Sequence, residues 1–108
     1  MDDCLFCKIA RKEIPAGIVW EDDAFVAFKD IHPKARVHVL LIPKEHVESI
    51  VHATSADSAM LGQLMLHVAD VAHAVGLQER GFKTVINTGK EGGQEVPHLH
   101  LHILGGGQ

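Results

Sequence analysis

The chain has 108 residues, 46% of them apolar, and a formal net charge of −4 with histidines neutral. This is the composition of one globular domain, 1–108, with no room for a second module. The negative balance argues against a DNA or RNA polymer as partner. No apolar run reaches the roughly 20 residues that span a membrane. The acidic start, Met1-Asp2-Asp3-Cys4, lacks the layout of a signal peptide, so a cytoplasmic protein is expected.

A short helix is predicted over 5–11, with Asp2 or Asp3 favouring its positive end. Glu13 to Gly17 reads as a loop. Ile18 to Glu21 and Phe25 to Phe28 read as the two strands of a hairpin about Asp22-Asp23. Asp30-Ile31-His32-Pro33 breaks the second strand. Val37 to Ile42 is the most β-branched and apolar run and is predicted as a central strand, ended by Pro43. The longest helix follows, with Thr54 or Ser55 as its cap and Gly76 at its end. Leu61, Leu64, Met65, Val68, Val71, Ala72 and Val75 share its apolar face, and Gln63, His67, Asp70 and His73 lie mostly opposite. Thr84 to Asn87 reads as a strand, and Thr88 to Gly93 as a loop. The last strand is predicted over 98–104. Hairpin-linked strands with a single long helix point to an α+β domain, an antiparallel sheet with helices on one face.

Nine histidines in such a short chain are a strong bias toward proton transfer, nucleophilic attack or metal binding. Three of them alternate in the last predicted strand. Strand geometry would turn His98, His100 and His102 to one face and Leu99, Leu101 and Ile103 to the core. The outer two would then stand about 13 Å apart, too far to share one metal without a bend. A division of labour is expected, with one end of the row holding a metal and the rest doing chemistry. Cys4-x-x-Cys7 supplies half of a zinc site, with His98 or His46 as further candidates. A redox pair is the rival reading, but it lacks a βαβ context. The glycines of the 89–94 loop let backbone amides turn toward an anion, and Gln94 could donate a further hydrogen bond.

These segments together resemble the histidine triad (HIT) family, whose mark is His-φ-His-φ-His-φ-φ, with φ apolar. His98-Leu99-His100-Leu101-His102-Ile103-Leu104 fits every position. Phe6-Cys7-Lys8-Ile9, Lys12-Glu13-Ile14-Pro15-Ala16, Phe28-Lys29-Asp30-Ile31, Ile42-Pro43-Lys44, Asn87 and Gly92-Gly93-Gln94 occur in the family's order. Within the family the chain resembles the Hint branch, the purine nucleoside phosphoramidases. The resemblance implies a five-stranded antiparallel sheet with one long and one short helix. It also implies a homodimer whose sheets join into ten strands.

The resemblance further implies hydrolysis of a purine nucleoside 5′-phosphoramidate or aminoacyl adenylate through a nucleotidyl-histidine. His100 would be the nucleophile, His102 and Gln94 would hold phosphoryl oxygens, Asn87 would share that phosphate environment, and Gly93 and Glu95 would contact the nucleotide, Glu95 near the leaving group. His38 would orient the triad. Asp30 would bind the ribose hydroxyls, and Phe6, Ile9, Phe28 and Ile31 would line the base pocket. Cys4, Cys7, His46 and His98 would hold a structural zinc, and catalysis would need no cofactor. Glu95 departs from the serine common in Hint relatives, Pro97 replaces a common aromatic, and the tail Gly105-Gly106-Gly107-Gln108 is short. A dinucleoside polyphosphate hydrolase, a nucleotide-binding regulatory module and a zinc-dependent hydrolase are the alternatives.

Overall fold

The computed structural model describes residues 3–106. Five strands form one antiparallel sheet in the order β1-β2-β3-β5-β4. They are β1 (Ile18–Glu21), β2 (Phe25–Lys29), β3 (Val37–Pro43), β4 (Phe82–Val85) and β5 (Leu101–Gly105). Helix α1 (Leu5–Ala10) precedes the sheet, and α2 (Ser58–Ala74) crosses between β3 and β4. The sheet fits the expected fold, but several local features differ from the sequence reading.

The helices do not share a face of the sheet. Phe25, Ala27, Val39, Leu41, Leu101 and Ile103 pack with Leu64, Val68, Val71 and Ala72 of α2. The alternate row, Val26, Phe28, Leu40 and Ile42, packs with Cys4, Phe6, Cys7 and Ile9 around α1. Both faces of β2 and β3 are therefore apolar, which is why their sequences show runs rather than alternation. A six-residue helix is not stable alone. Burial of Phe6, Cys7 and Ile9 holds α1 in place, each large apolar side chain contributing about 1.5–3 kcal/mol.

The residue that caps α1 is Cys4. The Cys4 thiol accepts from the Cys7 amide at 3.4 Å, Asp3 is exposed, and Asp2 lies outside the described residues. Thr54 caps a 3-10 turn, Ser55–Asp57, that runs on into α2. The Thr54 hydroxyl accepts from the Ala56 amide while Asp57 accepts from the Thr54 amide. Gly76 ends the helix with φ of 78°, a value glycine adopts without strain. Met65 is 55% exposed and leaves the expected apolar face. His67 moves the other way. Its ring packs against Trp20 and Phe25, centroids 4.7 and 5.1 Å away, with Asp22 and Asp70 at its two nitrogens.

Two strands are displaced from their predicted spans. β4 begins and ends two residues early, which leaves Asn87 in the following loop. β5 begins at Leu101, so His98 and His100 precede it. Their segment is held otherwise: the Leu99 amide donates to the Val47 carbonyl at 2.7 Å, and the His98 amide donates to Val96. His98, Leu99 and His100 are all buried, so the expected wet and dry faces do not exist there.

Candidate functional site

The site occupies the part of the α1 face that α1 leaves uncovered. In the β3–β5 ladder Leu40 pairs with His102 and His38 with Leu104, which brings His38 beside His102. His38 is buried; its Nε2 lies 3.0 Å from Nδ1 of His102 and 3.3 Å from a carboxylate oxygen of Asp30. The amide of Lys34 donates to His38 Nδ1 at 3.0 Å. That bond makes Nδ1 an acceptor, so the proton of neutral His38 is on Nε2. Donated to His102 Nδ1, it leaves the proton of His102 on Nε2. Burial lowers the pKa of both rings below the ordinary histidine value, with Asp30 opposing the shift.

His100 is fixed by a different partner. Its Nδ1 lies 2.6 Å from the carbonyl of His98. A carbonyl only accepts, so Nδ1 carries the proton and the Nε2 lone pair is left to act. The ring stands edge-on to Phe6, centroids 5.1 Å apart, and at the same spacing from His102. His98 follows the same logic with its nitrogens exchanged. Its Nε2 donates to the Pro43 carbonyl at 2.8 Å, which turns the Nδ1 lone pair toward the two thiols.

Two cavities open beside His100 and His102. One, roughly 300 Å³, is walled by Phe6, Ile9, Phe28, Leu40, Asp30 and Ile31 among others. Phe6, Ile9, Phe28 and Ile31, the residues expected to line a base pocket, are all on its wall, with Ile31 85% exposed. The other, roughly 420 Å³, shares Glu95 with the first and adds Asn87, Gly93 and His38. It also gains Lys34 and Lys83, which the sequence reading did not single out; nor did it single out His32, which lines both cavities. Cations in such a cavity suit an anionic group.

Gln94 does not line either cavity. Its side-chain oxygen accepts from the Gly89 amide, and its nitrogen donates to the carbonyls of Glu48 and Val96. The side chain braces the loop rather than reaching for a ligand, a correction to the expected phosphate contact. Asn87 likewise donates to the Gly92 carbonyl, from the cavity wall.

Cys4, Cys7, His46 and His98 gather with their ligand atoms all within 4.8 Å of one another. Cys4 Sγ lies 3.4 Å and Cys7 Sγ 3.6 Å from His98 Nδ1, and Cys7 Sγ lies 3.2 Å from His46 Nδ1. Donors bound at 2.0–2.3 Å to one tetrahedral zinc stand about 3.3–3.8 Å apart, so the set fits a metal ion. Burial and the neighbouring Cys4 raise Cys7 to about 11, and burial lowers His98 to about 4. The second value keeps His98 neutral, as a ligand must be. A cation would be needed to hold the thiolates.

The HIT domain family model matches residues 11–108. Protein HitA of Neisseria gonorrhoeae is 59% identical over 105 residues, 97% of each chain. The purine nucleoside phosphoramidase of Escherichia coli (strain K12) is 39% identical over 105 residues, 97% of this chain and 88% of that one. A crystal structure of a HIT family hydrolase from Legionella pneumophila superposes with a TM-score of 0.93 at 48% identity, covering 98% of this chain and 95% of that one. A histidine triad protein from Clostridium difficile gives 0.95 at 40% identity, covering 100% and 94%.

Proposed function

This chain belongs to the HIT domain family, and on that premise we propose that it is a hydrolase that cleaves purine nucleoside 5′-phosphoramidates through a nucleotidyl-His100 intermediate. The observation that carries the reading is the bond from His100 Nδ1 to the His98 carbonyl, which leaves Nε2 as an unprotonated nucleophile beside the cavities. His100 Nε2 attacks the α-phosphorus. The P–N bond breaks, and the amine leaves with its electron pair and a solvent proton. Water then attacks phosphorus, and the bond to His100 returns its pair to the ring.

His102 offers its Nε2 proton to a phosphoryl oxygen, fixed in that tautomer by Lys34 and His38. Lys34 and Lys83 offset phosphate charge. Phe6 and Phe28, edge to face at 5.3 Å, wall the pocket for the base, and Asp30 accepts from the ribose. Asn87, Gly93 and Glu95 complete the cavity around the phosphate.

In the same reading Cys4, Cys7, His46 and His98 hold a zinc that is structural, because four protein ligands leave no open position. Two free thiols that serve as ligands suit a reducing, cytoplasmic setting. Met65 and Leu66 are exposed on α2 and Phe82 on edge strand β4, apolar surface that a homodimer would cover.

The test is hydrolysis of adenosine 5′-phosphoramidate by wild type and His100→Ala, with acid trapping of an adenylylated protein. Loss of at least about 10³-fold in rate and of the trapped adduct is expected, the scale on which a nucleophile acts. Unchanged turnover in His100→Ala would sink the mechanism.

A further inference from the structure

Glu95 is exposed and borders both cavities of the site. It also borders a third, roughly 380 Å³, formed by Asp3, Cys4, Leu5, His46, Glu48, Val96 and Pro97. Its charge has no use in the steps above. The cavities differ in polarity. Lys34 and Lys83 stand with Asp30 in the triad cavity, whereas the third contains Asp3, Glu95 and Glu48, whose carboxylate lies 3.6 Å from His52 Nε2, and no lysine or arginine. Its one imidazole, His46, is beside the Cys7 thiol.

We propose that Glu95 is a specificity-determining residue: it selects leaving amines that carry a second positive charge, which the third cavity receives, and it disfavours polyphosphate leaving groups. The inference rests on the phosphoramidate reading and deepens it. Phosphoryl transfer needs the nucleotide phosphate near the lysines and His102. The group bonded to that phosphate must then leave by a path bordered by the cavity walls, and Glu95 is common to all three. A distal ammonium gains from a carboxylate there. A nucleotide or pyrophosphate leaving group brings further negative charge toward Glu95 and Glu48 and meets no lysine or arginine in the third cavity.

The experiment compares kcat/KM of wild type and Glu95→Gln on three substrates. These are an adenosine 5′-phosphoramidate of a diamine, the same compound ending in a methyl group instead of the ammonium, and diadenosine triphosphate. Wild type should prefer the diamine compound over its neutral twin. Glu95→Gln should reduce that ratio about fivefold, the size expected of one exposed charge pair, and raise the relative rate on the triphosphate. High salt should shrink the wild-type preference. Glu48→Gln should lower the same ratio by less. A wild-type ratio near one, or an equal ratio in the Glu95→Gln variant, overturns the role of Glu95 while the phosphoramidase reading stands. Failure of wild type to cut either phosphoramidate overturns both.

Discussion

His38, His100 and His102 differ in chemistry because each has a different partner on the nitrogen that does not act. A backbone amide meets His38, a backbone carbonyl meets His100, and His38 itself meets His102. His38→Ala should therefore lower kcat/KM about tenfold or more by freeing the His102 tautomer, with KM for the nucleotide less affected than kcat. Rates on adenosine phosphoramidate measure this. The pH profile carries a second prediction. Both His38 and His102 have pKa values lowered by burial, so each stays neutral below the ordinary 6.5. The neutral relay persists as pH falls past 6.5 and is lost only as pH passes the lowered values. NMR titration of the His38 and His102 rings should accordingly give values below 6.5, and a value at or above 6.5 for either ring would count against the relay.

The loop between β4 and β5 depends on its backbone. A Cβ on Gly92 would stand 2.2 Å from the Thr88 carbonyl oxygen, so the turn must move to admit one. Gly92→Ala should shift the loop that carries Gly93 and Glu95 into the triad cavity and cost at least about tenfold in kcat/KM. Gln94→Ala removes three bonds to backbone and should destabilise the chain by about 1–3 kcal/mol in urea unfolding. Sequence showed the elements better than their ends. Val37 to Ile42 was legible because a β-branched apolar run bounded by a proline has few other uses. The start of β5 was not, because His98 to His100 alternates like a strand while its backbone bonds to the Val47 loop. The cysteine–histidine cluster was legible as residue types, but the Pro43 carbonyl that turns His98 toward it leaves no mark in the sequence. His67 looked like surface polarity because its aromatic partners come from β1 and β2, far away in the chain.

Across the whole molecule, the cysteine–histidine cluster joins three segments distant in sequence: the α1 terminus, the chain after β3 and the approach to β5. A metal there closes long loops and binds only the folded form, so chelation should lower Tm by at least about 10 °C, with about 4–8 °C expected per kcal/mol in a domain near this size. Calorimetry with zinc and with a chelator checks this. The metal-free protein should also be acid-labile. His98 has an unfolded value of 6.5 and a folded value of about 4. Its contribution to stability is whole above 6.5. It falls as pH drops toward 4, by up to about 1.4 kcal/mol per pH unit for one proton.

The strand order places β5 between β3 and β4, with β1 and β4 at the borders. That arrangement has a consequence in time. Border strands open most often, while the amides of β3 and β5 can meet deuterated water only when much of the sheet separates. Leu101 and Ile103, which flank His102, should therefore be among the slowest amides to exchange, and those of β1 among the fastest. The His102 imidazole would keep its place while the rim of the sheet opens and closes.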